Sequence, residues 1–296
     1  MRKILVTGAN GFLGYYLVQQ LLETGCQVLG TGKGPCRLPF KAEAFSYAVL
    51  DFTQKEEVLK LFEAERPDVV FHCGAMSKPD DCELNRDAAF LVNVTGTANL
   101  LQASAASKSF FIHLSTDFVF SGSNGPYREE DIPAPVNYYG HTKQLAEEEV
   151  KQFGYDWAII RTVLVYGKPH LNRQNLLTST AEALRAGKPL RIFGDQRRTP
   201  TYVGDLARGL IAIMNKKATG IYHLSGRDIR TPYQMAAAVA DHLGLEASLI
   251  TEIKEGELVQ PAKRPPDTVF DITKATRELG FEPVGFEEGL RKTFVV

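Results

Sequence analysis

The chain has 296 residues, 44% of them hydrophobic and 23% charged, with a formal net charge of −1. That length supports one large domain or about two ordinary ones, with ample apolar material for a core. The near-neutral balance supplies no global field for nucleic acid or an anionic membrane surface, and no apolar run approaches the ~20 residues of a spanning helix.

The basic-then-apolar start, Arg2 to Val6, breaks at Thr7-Gly8, short of the roughly 7–15 residue core of a signal peptide. It reads instead as a short buried strand through Thr7. Gly8-Ala9-Asn10-Gly11-Phe12-Leu13-Gly14 follows at once, and Tyr15 to Glu23 then carries Leu17, Val18, Leu21 and Leu22 at helical spacing up to Gly25. Cys26 to Thr31 reads as the next strand. A strand, a glycine turn, a helix and a strand make a unit in which the glycines allow close approach of a ligand. The free N–H groups of the helix start then suit a pyrophosphate. The alternation continues with a strand at Ser46–Leu50, a helix at Gln54–Ala64 and a strand at Asp68–His72. A mostly helical stretch, Asp80–Ala106, leads to strand Ser109–Leu114, a helix containing Tyr139, and strand Trp157–Arg161. Strands separated by helices predict a parallel sheet covered on both faces.

After Thr162 the rhythm changes. A turn at Val165–Pro169 precedes a helix at Leu176–Ala186, a short strand at Leu190–Phe193 and a polar loop, Gly194–Pro200. Then come a helix at Tyr202–Asn215, a strand at Ile221–Leu224, a helix at Tyr233–Leu243, and a last region of short helices after Lys263–Asp267. The expected fold is α/β: a Rossmann-type doubly wound parallel sheet over residues 1–162, and a smaller mixed α/β substrate domain over 163–296, some of whose segments return to the first domain. Cys26, Cys36, Cys73 and Cys82 form no CxxC pair and the six histidines form no HExxH. The expectation is therefore reduced cysteines, a cytoplasmic location and no metal site. His72 and His113, at strand positions, read as core or turn histidines.

Tyr139 and Lys143 stand four apart in a helix-forming stretch and so share a face. A free phenol, with a pKa of roughly 10, is a poor acid–base catalyst at neutral pH. A neighbouring ammonium is expected to lower that pKa, so that the phenol can exchange a proton with a substrate oxygen. Thr116, at the mouth of a buried strand, offers a hydroxyl to orient a carbonyl. The usual NAD signature, a carboxylate about 20 residues past the glycine turn, is missing: no Asp or Glu lies between Glu23 and Glu43. Thr31 and Lys33 are expected there to receive a 2′-phosphate, which predicts NADP(H) as the preferred cofactor with NAD(H) also used.

The quoted motifs are Gly8-x-x-Gly11-x-x-Gly14, Asn93-Val94-Thr95-Gly96-Thr97, Ser115-Thr116-Asp117-Phe118-Val119-Phe120, Tyr139-x-x-x-Lys143 and Arg198-Thr199-Pro200-Thr201-Tyr202-Val203, with Arg264-Pro265 near the end. In this order, across nearly the whole chain, they resemble the extended short-chain dehydrogenase/reductase superfamily, and within it the dTDP-4-dehydrorhamnose reductases. The resemblance implies NAD(P)H-dependent reduction of a nucleotide-linked 4-keto-6-deoxy sugar. Thr116, Tyr139 and Lys143 would be the catalytic set, with Tyr139 protonating the alkoxide and Lys143 also holding the nicotinamide ribose. Gly8, Gly11 and Gly14 would line the pyrophosphate, Asp51 and Phe52 would contact adenine, and Asn10, Phe12, Leu13, Gly74, Ala75 and Asn93 would join the cofactor site. Asp117, Phe118, Arg198 and Arg264 would face the substrate, the two arginines gripping its diphosphate. Where such reductases carry a glutamate that binds magnesium at a dimer contact, this chain has Tyr16, so a homodimer stays open but not one linked by that metal. Related dehydratases carry Thr-Asp-Glu; here Phe118 takes the third position, which argues against dehydration. An epimerase or another carbonyl reductase shares the triad, and a regulatory subunit could use the same fold without turnover.

Overall fold

The computed structural model describes residues 2–171 and 174–295. The first half alternates as the periodicity predicts: β1 (Lys3–Thr7), α1 (Phe12–Glu23), β2 (Gln27–Gly32), β3 (Phe45–Val49), α2 (Lys55–Glu65) and β4 (Val69–His72). Three helical pieces follow, α3 (Pro79–Leu84), α4 (Arg86–Phe90) and α5 (Gly96–Ser107), and one π-helical turn, Leu91–Thr95, joins the last two. Then come β5 (Phe110–Thr116), α6 (Tyr138–Lys151) and β6 (Trp157–Thr162). The second half holds β7 (Val165–Tyr166), α7 (Leu176–Arg185), β8 (Leu190–Phe193), β9 (Thr201–Tyr202), α8 (Val203–Lys216), β10 (Gly220–His223), α9 (Pro232–Leu243), β11 (Ile250–Ile253), α10 (Thr273–Leu279) and α11 (Phe286–Phe294).

Seven strands form one sheet in the order β10-β6-β5-β4-β1-β2-β3, and every pairing in it is parallel. The strand order reverses at β1 and β4, so a crevice opens outside the carboxyl ends of these strands, where open α/β sheets bind ligands. One core lies between the sheet and α1 with α8: Leu17, Val18 and Leu21 of α1 and Leu206, Leu210 and Ile213 of α8 are buried there. Burying side chains of this size contributes about 1.5–3 kcal/mol each. The opposite face is filled from α2, α5 and α6 by Val58, Phe62, Leu100 and Val150.

Strand β10, although it comes from the second half, pairs with β6 from Gly220↔Ala158 to His223↔Arg161 and completes the main sheet. The parallel pairs β8 with β11 and β7 with β9 stand apart from that sheet. Among the described residues no helix is long and apolar enough to cross a membrane.

Candidate active site

The glycine turn sits at the carboxyl end of β1. Gly8 adopts a left-handed φ of 67°, and a Cβ there would come within 2.9 Å of the Gly74 backbone. A Cβ on Gly14 would lie 2.3 Å from the Gly8 carbonyl oxygen. The turn therefore presses directly onto its own backbone and onto the segment after β4, a fit that only hydrogen in place of Cβ permits. Leu13 is buried, Gly11 and Phe12 are partly exposed, and α1 begins at Phe12, so its first N–H groups open on the crevice. Gly74 and the exposed Ala75 form the opposite rim, with the Gly74 N–H donating to Thr7 Oγ1 at 3.2 Å.

The end of the crevice nearest β2 and β3 is organised by Asn10. Its side chain donates to the Pro35 carbonyl at 2.9 Å and to the Tyr47 hydroxyl at 2.8 Å, and accepts from the Arg37 N–H at 3.0 Å. Asn10 thus pins the 33–37 loop. Thr31 is buried, its hydroxyl 3.5 Å from the Val6 carbonyl. Lys33 is exposed, but its ammonium lies 3.0 Å from Asp51, a carboxylate that parallel pairing of β2 and β3 brings alongside. Burial pushes the Asp51 carboxyl up, but the Thr53 hydrogen bonds and the Lys33 ammonium together outweigh it and hold Asp51 below its ordinary value. Phe52 is buried in the floor, wedged so tightly between Gly74 and Gly96 that a Cβ on either would come within 2.6 Å of its ring.

Asn93 lies in the π-helical turn, a feature common at functional sites. Its carbonyl oxygen accepts the Met76 N–H at 2.8 Å, and its two amide hydrogens go to the Met76 carbonyl at 3.0 Å and the Thr142 hydroxyl at 3.0 Å. Both donors are committed, so Asn93 staples the β4 rim to α6 instead of reaching into the crevice.

Helix α6 carries Tyr139 and Lys143. Its N-cap, Asn137, accepts the Gly140 N–H at 2.9 Å. Gly140 lets the helix approach the turn after β5, because a Cβ there would sit 2.0 Å from the Phe118 carbonyl oxygen. Sequence reading passed over this glycine; its signal is a glycine in the first turn of a helix, where a better helix former is otherwise favoured. Thr116 ends β5. Its hydroxyl accepts the Phe118 N–H at 3.2 Å and lies 3.1 Å from Asp117 Oδ1 as donor. Donation to a substrate oxygen needs only rotation of that hydroxyl. Asp117 is buried behind Thr116: its other oxygen accepts from Thr268 and lies 3.9 Å from Arg198 Nε. Burial pushes the Asp117 carboxyl up, with Arg198 as the main opposing influence. The Phe118 ring meets that of Tyr139 edge-on at 5.9 Å, which makes it a wall of the cleft.

The expectation for the Tyr139 proton is reversed in direction. Burial raises its pKa, and the nearby Thr116 hydroxyl only partly offsets this. The Lys143 ammonium, which was to relieve it, is engaged elsewhere: Nζ lies 3.0 Å from His113 Nε2. Burial in turn pulls the Lys143 pKa down to about 8.

The arginines also differ from free guanidinium groups. Arg198 is buried and donates to the carbonyls of Pro265 at 2.6 Å, Arg197 at 2.8 Å and Pro266 at 3.3 Å, so it ties its loop to the 265–266 segment. Arg264 forms a two-point pair with Asp80 at 2.6 and 2.8 Å, and Arg197 pairs with Asp267 at 2.8 Å.

The family described as RmlD substrate binding domain matches residues 1–295. Among curated relatives, the spore coat polysaccharide biosynthesis protein SpsK of Bacillus subtilis is 33% identical over 99% of this chain and 96% of its own length. Methionine adenosyltransferase 2 subunit beta of Xenopus laevis is 32% identical over 99% of this chain and 87% of its own. Among solved structures, dTDP-4-dehydrorhamnose reductase from Bacillus anthracis, in complex with NADP, superposes with a TM-score of 0.84 at 27% identity, covering 99% of both chains. The chain therefore belongs to the RmlD substrate binding domain family, that of the dTDP-4-dehydrorhamnose reductases within the extended short-chain dehydrogenase/reductase superfamily.

Proposed function

We propose that this protein reduces the keto group of a nucleotide-linked 4-keto-6-deoxy sugar with a nicotinamide cofactor, preferably NADPH. The observation that carries this reading is that β5, which ends at Thr116, packs against α6, which carries Tyr139 and Lys143, in the sheet whose first strand opens on the glycine turn. A relative of the same family binds NADP, and another is named for polysaccharide biosynthesis.

The cofactor, when bound, supplies hydride to the carbonyl carbon; the chain's own groups do the rest. Gly8 to Gly14 and the start of α1 receive the pyrophosphate. Lys143 holds the nicotinamide ribose. Thr116 turns its hydroxyl toward the keto oxygen, and Tyr139 delivers the proton that oxygen takes up. A phenol whose pKa is raised by burial is fully protonated at neutral pH, which is the form a reduction consumes. Phe118 lines the sugar site. Arg264 takes the diphosphate by exchanging one of its two contacts with Asp80, and Arg198 acts from beneath by fixing the 265–266 segment. Four free cysteines suit a reducing cytoplasm.

The likeness to methionine adenosyltransferase 2 subunit beta favours one second reading, a regulatory subunit that binds the nucleotide without turning it over. A panel of 4-keto nucleotide sugars assayed by loss of reduced-cofactor absorbance separates the two. Consumption of NADPH with one of them supports the reductase. Cofactor binding without consumption across the panel supports the second reading.

A further inference from the structure

Among the described residues His113 is the one group in hydrogen-bond contact with the Lys143 ammonium, which lies 3.0 Å from its Nε2, and both side chains are buried on β5 and α6. An ammonium has only donors, so Nε2 must accept and the ring proton of a neutral His113 must sit on Nδ1. That Nδ1 is buried and has no hydrogen-bond partner among the described residues.

His72, its ring 5.3 Å away, makes the contrast. Its Nδ1 lies 2.7 Å from Thr7 Oγ1 and its Nε2 3.0 Å from Thr97 Oγ1. Thr97 donates its own proton to the Asn93 carbonyl at 2.7 Å, so it accepts from His72, and Thr7 donates to the remaining ring nitrogen. His72 is thus satisfied at both ends, as a histidine serving the core should be. His113 leaves one N–H orphaned and keeps only the contact to Lys143. A leucine would fill that space without burying an unpaired donor, so packing alone does not account for the imidazole.

We propose that His113 is a positioning residue of the reaction, whose Nε2 holds the Lys143 ammonium in place and charged beneath the cofactor. The inference rests on the reductase reading for its catalytic consequence, but not for its physical test. The groups facing Lys143 are Tyr139 and Glu147, one turn to either side on α6, His113 from β5, and His72 and Cys73 from the end of β4. Burial drives Lys143 toward the neutral amine, and Glu147 and Cys73 oppose it. A hydrogen bond to an ionised donor is about twice as strong as one between neutral groups, so His113 stabilises the ammonium more than the amine. Removing the acceptor therefore lowers the lysine pKa further.

The test is an NMR titration of 13Cε-labelled lysines in the full chain without substrate, with Lys143 assigned by its loss in Lys143→Arg. Wild type should titrate near pH 8. In His113→Leu the Lys143 midpoint should fall by about one to two pH units. In His113→Gln, whose amide oxygen can reach the place of Nε2, it should return to within about half a unit of wild type. If the leucine variant does not fold, His113→Asn, whose amide is too short to reach, takes its place. The kcat for NADPH oxidation with a 4-keto nucleotide sugar should lose its alkaline side in step, falling roughly tenfold at pH 8 in His113→Leu and recovering in His113→Gln. An unshifted Lys143 titration in the leucine or asparagine variant overturns the proposal, as does an equal shift in the glutamine variant. A wild-type protein that turns over nothing removes the reductase reading and leaves the titration to decide the role of His113.

Discussion

Helix α6 carries two buried charges one turn apart, Lys143 and Glu147, and they are treated in opposite ways. Glu147 is saturated: Oε1 accepts from Ser115 at 2.6 Å and Arg161 Nε at 3.0 Å, and Oε2 accepts from Arg161 Nη2 at 2.7 Å. Arg161 itself reaches the Glu129 carbonyl at 3.3 Å and lies over the Phe120 ring at 4.9 Å. Lys143 has, among the described residues, one neutral acceptor, with a lowered pKa and a tyrosine neighbour whose pKa is raised. A charge that holds the fold is fully hydrogen-bonded, because any shortfall costs stability. In the proposed reductase Lys143 is left unsaturated because its remaining hydrogens go to the bound cofactor.

That contrast breaks most sharply at Tyr139. Tyr139→Phe removes the hydroxyl that the proposed reduction uses as proton donor, and little volume. The expected result is a fall in kcat on the order of 10²–10⁴ with cofactor affinity and thermal midpoint nearly unchanged. Activity within a few-fold of wild type, measured by NADPH oxidation, would take Tyr139 out of the mechanism. Glu147→Gln should act on stability instead. It strands the buried Arg161 charge, at a cost of about 3–5 kcal/mol in urea unfolding. An unfolding midpoint like that of wild type would mean that the pair holds nothing.

The histidines extend the comparison to pH. Burial lowers the pKa of His72 to about 3 in the folded chain, against 6.5 when unfolded. Below pH 6.5 the unfolded chain therefore binds a proton that the folded chain refuses, and stability falls as pH drops from 6.5 toward 3. Between pH 7 and pH 5 this group alone should cost about 2 kcal/mol. His72→Gln should be less stable at pH 7 but show a flatter decline. A decline as steep as that of wild type, followed by urea unfolding, would assign the acid sensitivity elsewhere, for instance to His113 and His223, whose pKa values burial also lowers.

The alternation of β1 to β6 was legible because each strand and helix carries its own period. The partner of Gly220–His223 was not, since local pattern marks a strand without saying which sheet it joins. The glycine turn and the Tyr139–Lys143 spacing were legible for the same local reason. What the sequence hid were effects of burial and long-range contact. Arg198 reads as a cation in a polar loop, and only folding covers it with the carbonyls of residues 265 and 266. Tyr139 reads as a phenol beside an ammonium, yet in the fold that ammonium turns to His113 and burial raises the phenol's pKa. His113 reads as core, and its missing hydrogen bond becomes visible only when every neighbour is in place.

Lys33 and Asp51 give the smallest expected effect and the most exposed form of the comparison. They are 18 positions apart in sequence, yet 3.0 Å apart in the fold, with Lys33 56% and Asp51 30% exposed at the side chain. Solvent screening leaves such a pair about 0.2–1 kcal/mol, so its ammonium can be exchanged cheaply. A 2′-phosphate arriving at the end of β2 would draw Lys33 away from Asp51, whose carboxylate in turn repels the phosphate. NADPH should therefore be preferred over NADH by only a few-fold. Lys33→Ala removes the attraction and leaves the repulsion, so KM for NADPH should rise about two- to five-fold, while KM for NADH, which lacks the phosphate, stays nearly constant. Titrating both cofactors against wild type and variant checks this. Equal weakening of the two would mean that Lys33 supports the loop and not the phosphate, and equal affinity in wild type would remove the 2′-phosphate site from this end of the crevice.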